Sequence, residues 1–380
     1  MSLEAVRIEI DAIDKELTEL LKKRMNCSLK VAEIKKSEGL PVYHPAREKE
    51  ILERVYNEGG EYGSHIAEIY KLLMECSREL QHDTLQDGNK LKSLVNGAEK
   101  NANFSGNVAC YGQEGAFTHI ALTSSFADKN TKLTFCNTFE KVFETVNSNK
   151  ADLGFLPVEN SSAGSVGEVY DLLLKYKLYI VGAVAMPIKH NLLGIAGAEI
   201  KDIKTVYSHP QALSQCKEFL TKHSINSIPF SNTAAAAEFA AKQNDISVGA
   251  IGSTDCAEKS GLNILAPSIQ SFANNQTRFI ALSKKPIIPA DSDKISLVFS
   301  LSHTPGSLQK ILTRFSLHGL NLTKLESRVG KNGDFETQFY LDFLGSAKDE
   351  KTFSLLCALK DELTDFFFLG NYKEISIKKS

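Results

Sequence analysis

Residues 154–173 read GFLPVENSSAGSVGEVYDLL, and this stretch decides the fold class of the middle of the chain. An apolar run is followed by a polar turn with Asn160, Ser161 and Ser162, and then by apolar residues at helical spacing. The order strand, turn, helix is the repeating unit of α/β proteins. Two functions are open for the turn. It can present a strained nucleophilic serine, as a G-x-S-x-G elbow does, or offer backbone N–H groups to an anion at the helix start.

The same order recurs from Val108 to about Ser283, which predicts an α/β region of one domain or of two lobes facing a cleft. Polar turns follow apolar runs in VACYGQEGAFTHIAL, VYSHPQALSQC and NNQTRFIALS. The first lacks a complete G-x-G-x-x-G, so it favours a plain tight turn over a dinucleotide site. We expect these polar turns to converge on one cleft.

The N-terminal residues predict three helices. The first runs from about Leu3 to Ile34, the second begins at Pro45 and stops at Gly59-Gly60, and the third covers about 64–85. The first helix is unusually long for a globular domain, which predicts that it packs against a second copy of the chain. Residues 86–107 are rich in Asn, Lys and Gly and predict a linker.

Residues 294–377 have a different pattern, which predicts the order β-α-β-β-α-β of a ferredoxin-like unit. In this prediction KISLVFSLS is the first strand and FFFLGNYKEISI is a single closing strand. The whole chain is therefore expected to hold three domains.

Composition excludes several classes of protein. With 380 residues, two or three domains are expected. The net charge of -2 argues against nucleic acid as a partner. Seven scattered cysteines predict reduced thiols in the cytoplasm, and nine histidines without pair spacing give no support for a metal site. No apolar run reaches the ~18 residues of a membrane span.

The helical region carries polar residues in a suggestive arrangement. Arg24 and Lys35 are 11 positions apart, which puts them roughly 20° apart around a helix axis and on one face. Arg7 lies off that face and is expected to reach another site, such as the partner's. Ser77 and Gln81 are neighbours at i and i+4. Taken singly, each is an ordinary surface residue.

Together these residues resemble the AroQ-type chorismate mutases, which are all-helical intertwined dimers. The resemblance rests on VRIEIDAIDKELTELLKKR, VAEIKK, PAREKEILERV and SRELQ. It implies the following roles: Arg24 and the partner's Arg7 hold the carboxylates of chorismate, Lys35 and Gln81 donate to the ether oxygen, Glu48 engages the ring hydroxyl, and Arg47 and Ser77 support them.

One residue departs from that pattern. His44 stands where some members of the family carry an acidic residue near the hydroxyl. We expect a weaker hydroxyl contact there without loss of activity.

Residues 106–284 resemble prephenate dehydratase, whose two lobes are of periplasmic-binding-protein type. The resemblance rests on GFLPVENSSAGSVGEVYDLL, YSHPQALSQC and NNQTRF. It implies a site formed by Asn160, Ser161, Ser208, Gln215 and Thr277, with Glu159, His209 and Arg278 close by. Thr277 would hydrogen-bond the departing hydroxyl, and the glycines of 154–173 would allow close approach of the backbone to substrate.

Two alternatives stay open in this region. The flanking pattern A-G-S-V-G does not fit the nucleophile elbow, although His209 can in principle serve as a base. Arg278 can brace a lobe interface through a carboxylate instead of binding substrate.

Residues 294–377 resemble an ACT domain, a module that senses amino acids. TPGSLQKIL and LESRV are similar to its phenylalanine-site motifs. They imply an allosteric L-phenylalanine site of Gly306, Ser307, Leu308, Glu326, Ser327 and Arg328. The alternative is a module that only mediates dimerisation.

Taken together, the resemblances imply a bifunctional chorismate mutase/prephenate dehydratase, a homodimer or higher oligomer that acts without metal or cofactor and is inhibited by L-phenylalanine. The implied domains are the mutase (1–88), a linker (89–105), the dehydratase (106–284) and the ACT domain (294–377). Two alternatives are a dehydratase with an inactive mutase domain and a non-enzymatic sensor of small molecules.

Overall fold

The structure is a computed structural model that describes residues 2–85, 89–101, 104–272, 274–329, 337–363 and 365–377. The chain forms two compact units. Unit 1 combines Met1–Gly97 with Ile295–Phe368, and unit 2 combines Ala98–Lys294 with Leu369–Ser380.

The N-terminal part of unit 1 is helical, as predicted, with α1 (Leu3–Glu38), α2 (Pro45–Glu58) and α3 (Gly63–Leu85). The Ser2 side chain caps α1 by accepting from the N–H of Ala5, and α1 ends where Gly39 takes a φ of 65°. At 1.5 Å per residue α1 is about 54 Å long. Its apolar residues are largely exposed, including Ile13 at 57% and Leu20 at 61%. The single chain therefore leaves an apolar stripe uncovered.

The predicted linker is partly wrong, because it contains a helix, α4 (Asn89–Asn96). Leu91 and Val95 are one helical turn apart and both are buried, which anchors the helix.

Unit 2 contains two sheets, in agreement with the two-lobed prediction. Its strands up to residue 283 are β1 (Asn107–Tyr111), β2 (Lys132–Cys136), β3 (Leu153–Asn160), β4 (Gly164–Ser165), β5 (Tyr179–Pro187), β6 (Asn191–Gly194), β7 (Thr205–Ser208), β8 (Asn226–Pro229), β9 (Val248–Gly252), β10 (Asn263–Ala266) and β11 (Gln276–Ser283). Its helices are α5 (Phe117–Ser125), α6 (Phe139–Asn147), α7 (Gly167–Tyr176), α8 (Pro210–Gln215), α9 (Lys217–Lys222), α10 (Thr233–Gln243) and α11 (Thr254–Ser260).

The C-terminal residues add β12 (Lys294–Leu301), α12 (Ser307–Leu317), β13 (Leu322–Val329), β14 (Thr337–Leu344), α13 (Glu350–Glu362), β15 (Phe367–Tyr372) and β16 (Glu374–Ser376). From β12 to β15 the order is the predicted β-α-β-β-α-β, and these strands form a sheet ordered β13-β14-β12-β15.

The prediction of one closing strand is wrong, because the segment breaks at Lys373. Its second piece, β16, pairs in parallel with β5. The larger sheet of unit 2 is thereby ordered β16-β5-β11-β3-β1-β2, with β4 on β3, and the smaller one β10-β6-β9-β7-β8. The chain end thus completes the larger dehydratase-region sheet.

The strands of the larger sheet carry its core. Every residue of β3 from Leu153 to Leu156 is buried, as expected for a strand covered on both faces. Gly154 is required by this packing, since a Cβ there would lie 2.9 Å from the Val142 side chain of α6. Strand β3 leads directly into the polar turn at Asn160, next to the start of β11.

Candidate active sites

The Asn160 side chain organises the polar turn after β3. It is 6% exposed, and its Oδ1 accepts from the backbone N–H of Ser162 at 3.0 Å and of Ala163 at 3.1 Å. Its Nδ2 donates to the Gln276 carbonyl at 3.1 Å and to Thr277 Oγ1 at 2.8 Å. These bonds hold the turn against the start of β11, where Thr277 is the register partner of Asn160.

The serines of the turn are engaged by amides. Ser161 Oγ donates to the Asn274 carbonyl at 3.2 Å and accepts from the Gln276 N–H at 2.9 Å. Ser162 Oγ donates to Asn160 Oδ1 at 2.7 Å and accepts from Gln215 Nε2 at 2.6 Å. Both hydroxyls therefore serve as structural links, which removes the support for a nucleophile elbow.

The glycines of the turn are explained by backbone geometry. Gly164 has a φ of 77°, and a Cβ there would meet no atom within 4 Å. Only glycine takes such a conformation readily. Packing at Gly154 and the positive φ of Gly164 explain these two glycines, so close approach of the backbone to substrate is not needed to explain them.

Two predicted site residues lie in structural positions. Ser208 is fully buried, and its Oγ donates to the Ile251 carbonyl at 2.7 Å, linking β7 to β9. His209 caps α8, with Nδ1 accepting from the Gln211 N–H at 3.3 Å, and burial lowers its pKa. The fold thus uses the hydroxyl proton of Ser208 and the Nδ1 atom of His209.

Gln215 at the end of α8 joins the network through two residues that the sequence did not single out. Its Oε1 accepts from Asn275 Nδ2 at 2.9 Å and lies 2.9 Å from His190 Nε2. Asn275 Oδ1 in turn accepts from Asn160 Nδ2 at 2.9 Å. His190 and Asn275 are both 3% exposed. Asn275 lies within the NNQTRF stretch, whereas the sequence signal for His190 was its place beside a strand end.

Arg278, the neighbour of Thr277, is held by carboxylates. Its side chain is 11% exposed, with Nε 2.7 Å from Glu374 Oε2 and Nη1 3.7 Å from Glu159 Oε2. Its Nη2 donates to the Tyr372 hydroxyl at 2.5 Å. Glu374 also pairs with Lys294 Nζ at 2.8 Å. Arg278 thus braces through carboxylates, as the alternative states, but these contacts join β11 to β3 and β16 within the larger sheet and not to the other lobe.

We expect Glu374→Gln to destabilise unit 2 by about 2 kcal/mol, because two largely buried cations lose a charged acceptor. Turnover of prephenate, the activity that the resemblance implies for this unit, should fall several-fold, since Arg278 adjoins Thr277. Thermal unfolding and initial rates measure both effects. The matched control is Lys373→Gln, which removes the exposed pair of Lys373 with Asp293 and should change neither value appreciably. Equal effects of the two substitutions would contradict the brace.

The mutase candidates of unit 1 cluster around α1 and α3. Arg24 Nη1 donates to Ser77 Oγ at 2.6 Å and to the Leu73 carbonyl at 3.4 Å. Lys35 Nζ donates to the Val42 carbonyl at 2.5 Å. Its pKa is lowered, chiefly by burial, with Glu48 opposing that shift and Arg78 adding to it. Gln81 is 7% exposed, and within the described part of the chain its Oε1 has no hydrogen-bond partner.

Glu48 is positioned by a residue that sequence reasoning missed, Arg78. Arg78 is 5% exposed and forms ion pairs with Glu48 and Glu75, while its Nε lies 3.9 Å from Glu362 Oε1. Glu362 belongs to α13 and accepts both Nη groups of the buried Arg314 at 3.0 Å. Burial opposes ionisation of Glu362, but its hydrogen bond with His82 and the charges of Arg314 and Arg78 lower its pKa to about 2. Helix α3 is therefore joined to α12 and α13 by buried charges.

The remaining mutase candidates stay apart from this cluster. Arg7 is 64% exposed and pairs only weakly with Glu4 at 3.8 Å. Arg47 is exposed and pairs with Glu50 at 2.7 Å. His44 caps α2, with Nδ1 accepting from the Arg47 N–H at 3.2 Å. A helix cap thus accounts for His44, and Arg7 is left available to another molecule.

A pocket of about 400 Å³ in unit 1 lies next to the residues that contact Lys35 and Glu48. It is lined by Leu40, Pro41, Val42, Tyr43, His82, Asp361 and Glu362. The Tyr43 ring lies 5.2 Å from the Arg78 guanidinium carbon. The pocket therefore borders the residues that hold Lys35 and Glu48.

The phenylalanine-site candidates fall on two separate parts of the C-terminal sheet. Gly306 has a φ of 82° and precedes α12, and a pocket of about 370 Å³ next to it is lined by residues 301–305, Ser307, Thr337 and Phe339. Leu308 follows on α12. Glu326, Ser327 and Arg328 lie on β13, which β14 separates from β12. The two motifs therefore do not share one pocket lining within the chain.

The described residues include no cluster of three or more His, Cys, Asp or Glu that could hold a metal ion. None of the helices, as far as they are described, is long and apolar enough to cross a membrane. All seven cysteines are free.

The two polar clusters, one on packed helices and one between the strand ends of an α/β unit, define an enzyme with two active sites. A family model for chorismate mutase type II matches residues 6–82, and one for prephenate dehydratase matches residues 108–287. A bifunctional chorismate mutase/prephenate dehydratase of Aquifex aeolicus is 34% identical over 99% of both chains. The chain belongs to the family of bifunctional chorismate mutase/prephenate dehydratases.

Two further relatives each cover 70% of the chain. Arogenate dehydratase 2 of Petunia hybrida is 39% identical over 70% of this chain and 71% of its own. The solved structure of prephenate dehydratase in complex with L-Phe from Arthrobacter aurescens is 30% identical, with a TM-score of 0.65 over 70% of this chain and 89% of that one. The non-enzymatic sensor is thereby disfavoured.

Proposed function

We propose that unit 1 rearranges chorismate to prephenate with Arg24, Lys35, Glu48 and Gln81 as its principal groups. The observation that carries this proposal is that unit 1 holds both a partly buried Lys35, with Glu48 and Arg78 as charged neighbours, and a buried Gln81 whose oxygen is unpaired among the described residues. A [3,3] rearrangement needs no nucleophile. It needs a compact conformer and donors at the breaking C–O bond, which an ammonium and an amide N–H supply.

Arg7 acts in the second copy of the chain in this proposal. The support is its exposure together with the apolar stripe of α1, where Ile10, Ile13, Leu17 and Leu20 are each about half exposed or more. Monomeric proteins rarely leave such a stripe uncovered. A homodimer that buries the α1 stripes and completes each mutase site with the partner's Arg7 satisfies both observations.

Unit 2 then converts prephenate to phenylpyruvate. The C–C bond to the ring carboxylate breaks and releases CO2, its electron pair makes the ring aromatic, and the ring hydroxyl leaves with one proton as water. Thr277 hydrogen-bonds that hydroxyl, since its oxygen already accepts from Asn160 and its own proton is left to donate. Asn160 and Gln215 hold the geometry, and Arg278 with Glu159 supports it.

The C-terminal sheet is the ACT domain in this proposal, and L-phenylalanine binds there and inhibits the dehydratase. The supports are the β-α-β-β-α-β order, the pocket beside Ser307 and the ligand in the Arthrobacter aurescens relative. Because Gly306 lies at the start of α12 and Glu326 on β13, which β14 separates from β12, the site is proposed to form between two copies of the domain. A cytoplasmic location remains a prediction from the sequence.

The test is an assay of purified protein with chorismate, prephenate and arogenate, each with and without L-phenylalanine. We expect chorismate and prephenate both to yield phenylpyruvate, and L-phenylalanine to slow the second step. Turnover of prephenate but not chorismate would identify an inactive mutase. Phenylalanine binding without any turnover would leave the sensor, and turnover of arogenate alone would assign the dehydratase another substrate.

A further inference from the structure

We propose that His190 is a positioning residue of the dehydratase reaction. It fixes one orientation of a chain of side-chain amides that ends at Thr277 and leaves the Thr277 hydroxyl proton directed to the substrate. The inference rests on the proposed role of Thr277 and concerns a residue outside the family motifs.

The chain of amides starts at Asn160, whose side-chain amide can take only one orientation. The backbone N–H groups of Ser162 and Ala163 only donate, so the Asn160 atom that they contact must be the oxygen. The Gln276 carbonyl only accepts, so the atom that it contacts must be the amide nitrogen. The two protons of Asn160 Nδ2 are shared among three acceptors, one of which is Thr277 Oγ1, and this nitrogen cannot accept from Thr277. The hydroxyl of Thr277 therefore keeps its own proton for another acceptor.

The same orientation propagates to the second lobe. Asn160 Nδ2 also contacts Asn275 Oδ1, so the Asn275 nitrogen must point to Gln215. Gln215 Oε1 is then an acceptor, and its Nε2 donates to Ser162 Oγ at 2.6 Å and lies 3.4 Å from Asn160 Oδ1. A reversed Gln215 amide would set its oxygen against Asn160 Oδ1 and its nitrogen against Asn275 Nδ2.

His190 is the last member of this chain. Its Nε2 lies 2.9 Å from Gln215 Oε1, which only accepts, so Nε2 must carry the proton. The ring is buried with its edge against Phe117, at 5.4 Å between ring centroids, and Nδ1 has no partner among the described residues. Burial lowers the pKa of His190 to about 4, with His209 as a titratable neighbour that adds to the shift. The neutral Nε2–H tautomer is thus the form that fits.

Removing the His190 donor leaves Gln215 Oε1 with Asn275 alone. When Gln215 changes its orientation, its hydrogen bond to Ser162 and its contact with Asn160 weaken. Because Asn160 contacts Thr277 Oγ1, the position of the Thr277 hydroxyl is then less well fixed. We expect His190→Phe to lower kcat on prephenate by roughly 10–100-fold, the size of effect that a small misplacement of a reacting group produces. KM should change less, because no contact with substrate is removed.

The test compares full-length His190→Phe and His190→Gln with wild type. Glutamine places a donor nitrogen close to the position of Nε2, so His190→Gln should recover much of the lost kcat. His223→Phe is the control, since His223 is an exposed histidine of the same unit. Mutase activity of the same chain should be unchanged in all three variants. Nitrogen NMR of labelled histidine should find His190 neutral and protonated at Nε2 at pH 7 and pH 5.

Three results would overturn the proposal: an unchanged kcat in His190→Phe, an equal loss in His190→Phe and His190→Gln, or an Nδ1–H or charged ring at pH 5. The Thr277→Val variant distinguishes a failure of the positioning role of His190 from a failure of the proposed function. If Thr277→Val is inactive while His190→Phe is fully active, only the positioning role is wrong. If Thr277→Val stays active, the proposed role of Thr277 is wrong.

Discussion

Thr277→Val should lose at least roughly a hundredfold of its prephenate turnover, the usual contribution of a positioned acid or hydrogen-bond donor, and keep wild-type mutase activity. Valine preserves the shape of threonine and its preference for strands. It removes only the hydroxyl, which accepts from Asn160 and is proposed to donate to the leaving group. Steady-state rates with each substrate measure the two effects on one protein sample.

The control for Thr277 is the serine variant. Thr277→Ser keeps the hydroxyl on a more mobile side chain and should retain a substantial part of the activity. If the valine and serine variants were equally inactive, the hydroxyl would not be the feature that matters, and packing between β3 and β5 would explain the loss.

Lys35→Met is expected to lower mutase kcat by roughly 10²–10³-fold or more, because a charged donor to the breaking C–O bond disappears from a partly buried site. Methionine keeps most of the apolar stem of lysine, so α1 should remain folded. Dehydratase activity should be unchanged, because the substituted residue belongs to unit 1 and Thr277 to unit 2.

Lys36→Met is the matched control for this variant. Lys36 is the next residue of α1, is exposed, and donates to the Thr84 carbonyl at 3.2 Å. It should have mutase activity close to that of wild type. Equal losses in the two variants would mean that the charge of α1, and not the donor at Lys35, supports the reaction.

Much of the fold could be predicted because its signals are local. Helical periodicity predicted α1 to α3, with Gly39 marking the end of α1 and Pro45 the start of α2. The alternation of apolar runs with turns predicted the α/β unit. Helix α4 was missed because only Leu91 and Val95 anchor it in an Asn- and Lys-rich segment. The break at Lys373 was missed because β16 finds its partner, β5, almost 200 residues earlier in the chain, a pairing without local signal.

The sites were predicted less completely, since the resemblance gives residue identities but no hydrogen-bond directions. It named Asn160, Gln215 and Thr277, which the structure links in one network, and Ser208, which the structure buries. His190 acts on a residue that is 25 positions away. Arg78 and Glu374 reach Glu48 and Arg278 over still longer separations, so their pairing is visible only in the folded chain.

One chain is proposed to hold two independent active sites, one for each step of the reaction. The most direct measurement mixes equal amounts of Lys35→Met and Thr277→Val and supplies chorismate. Each variant alone should form almost no phenylpyruvate, with prephenate accumulating only for Thr277→Val. The mixture should form phenylpyruvate steadily, because one variant makes the prephenate that the other consumes. A mixture as inactive as its components, with prephenate turned over normally by Lys35→Met, would contradict the claim.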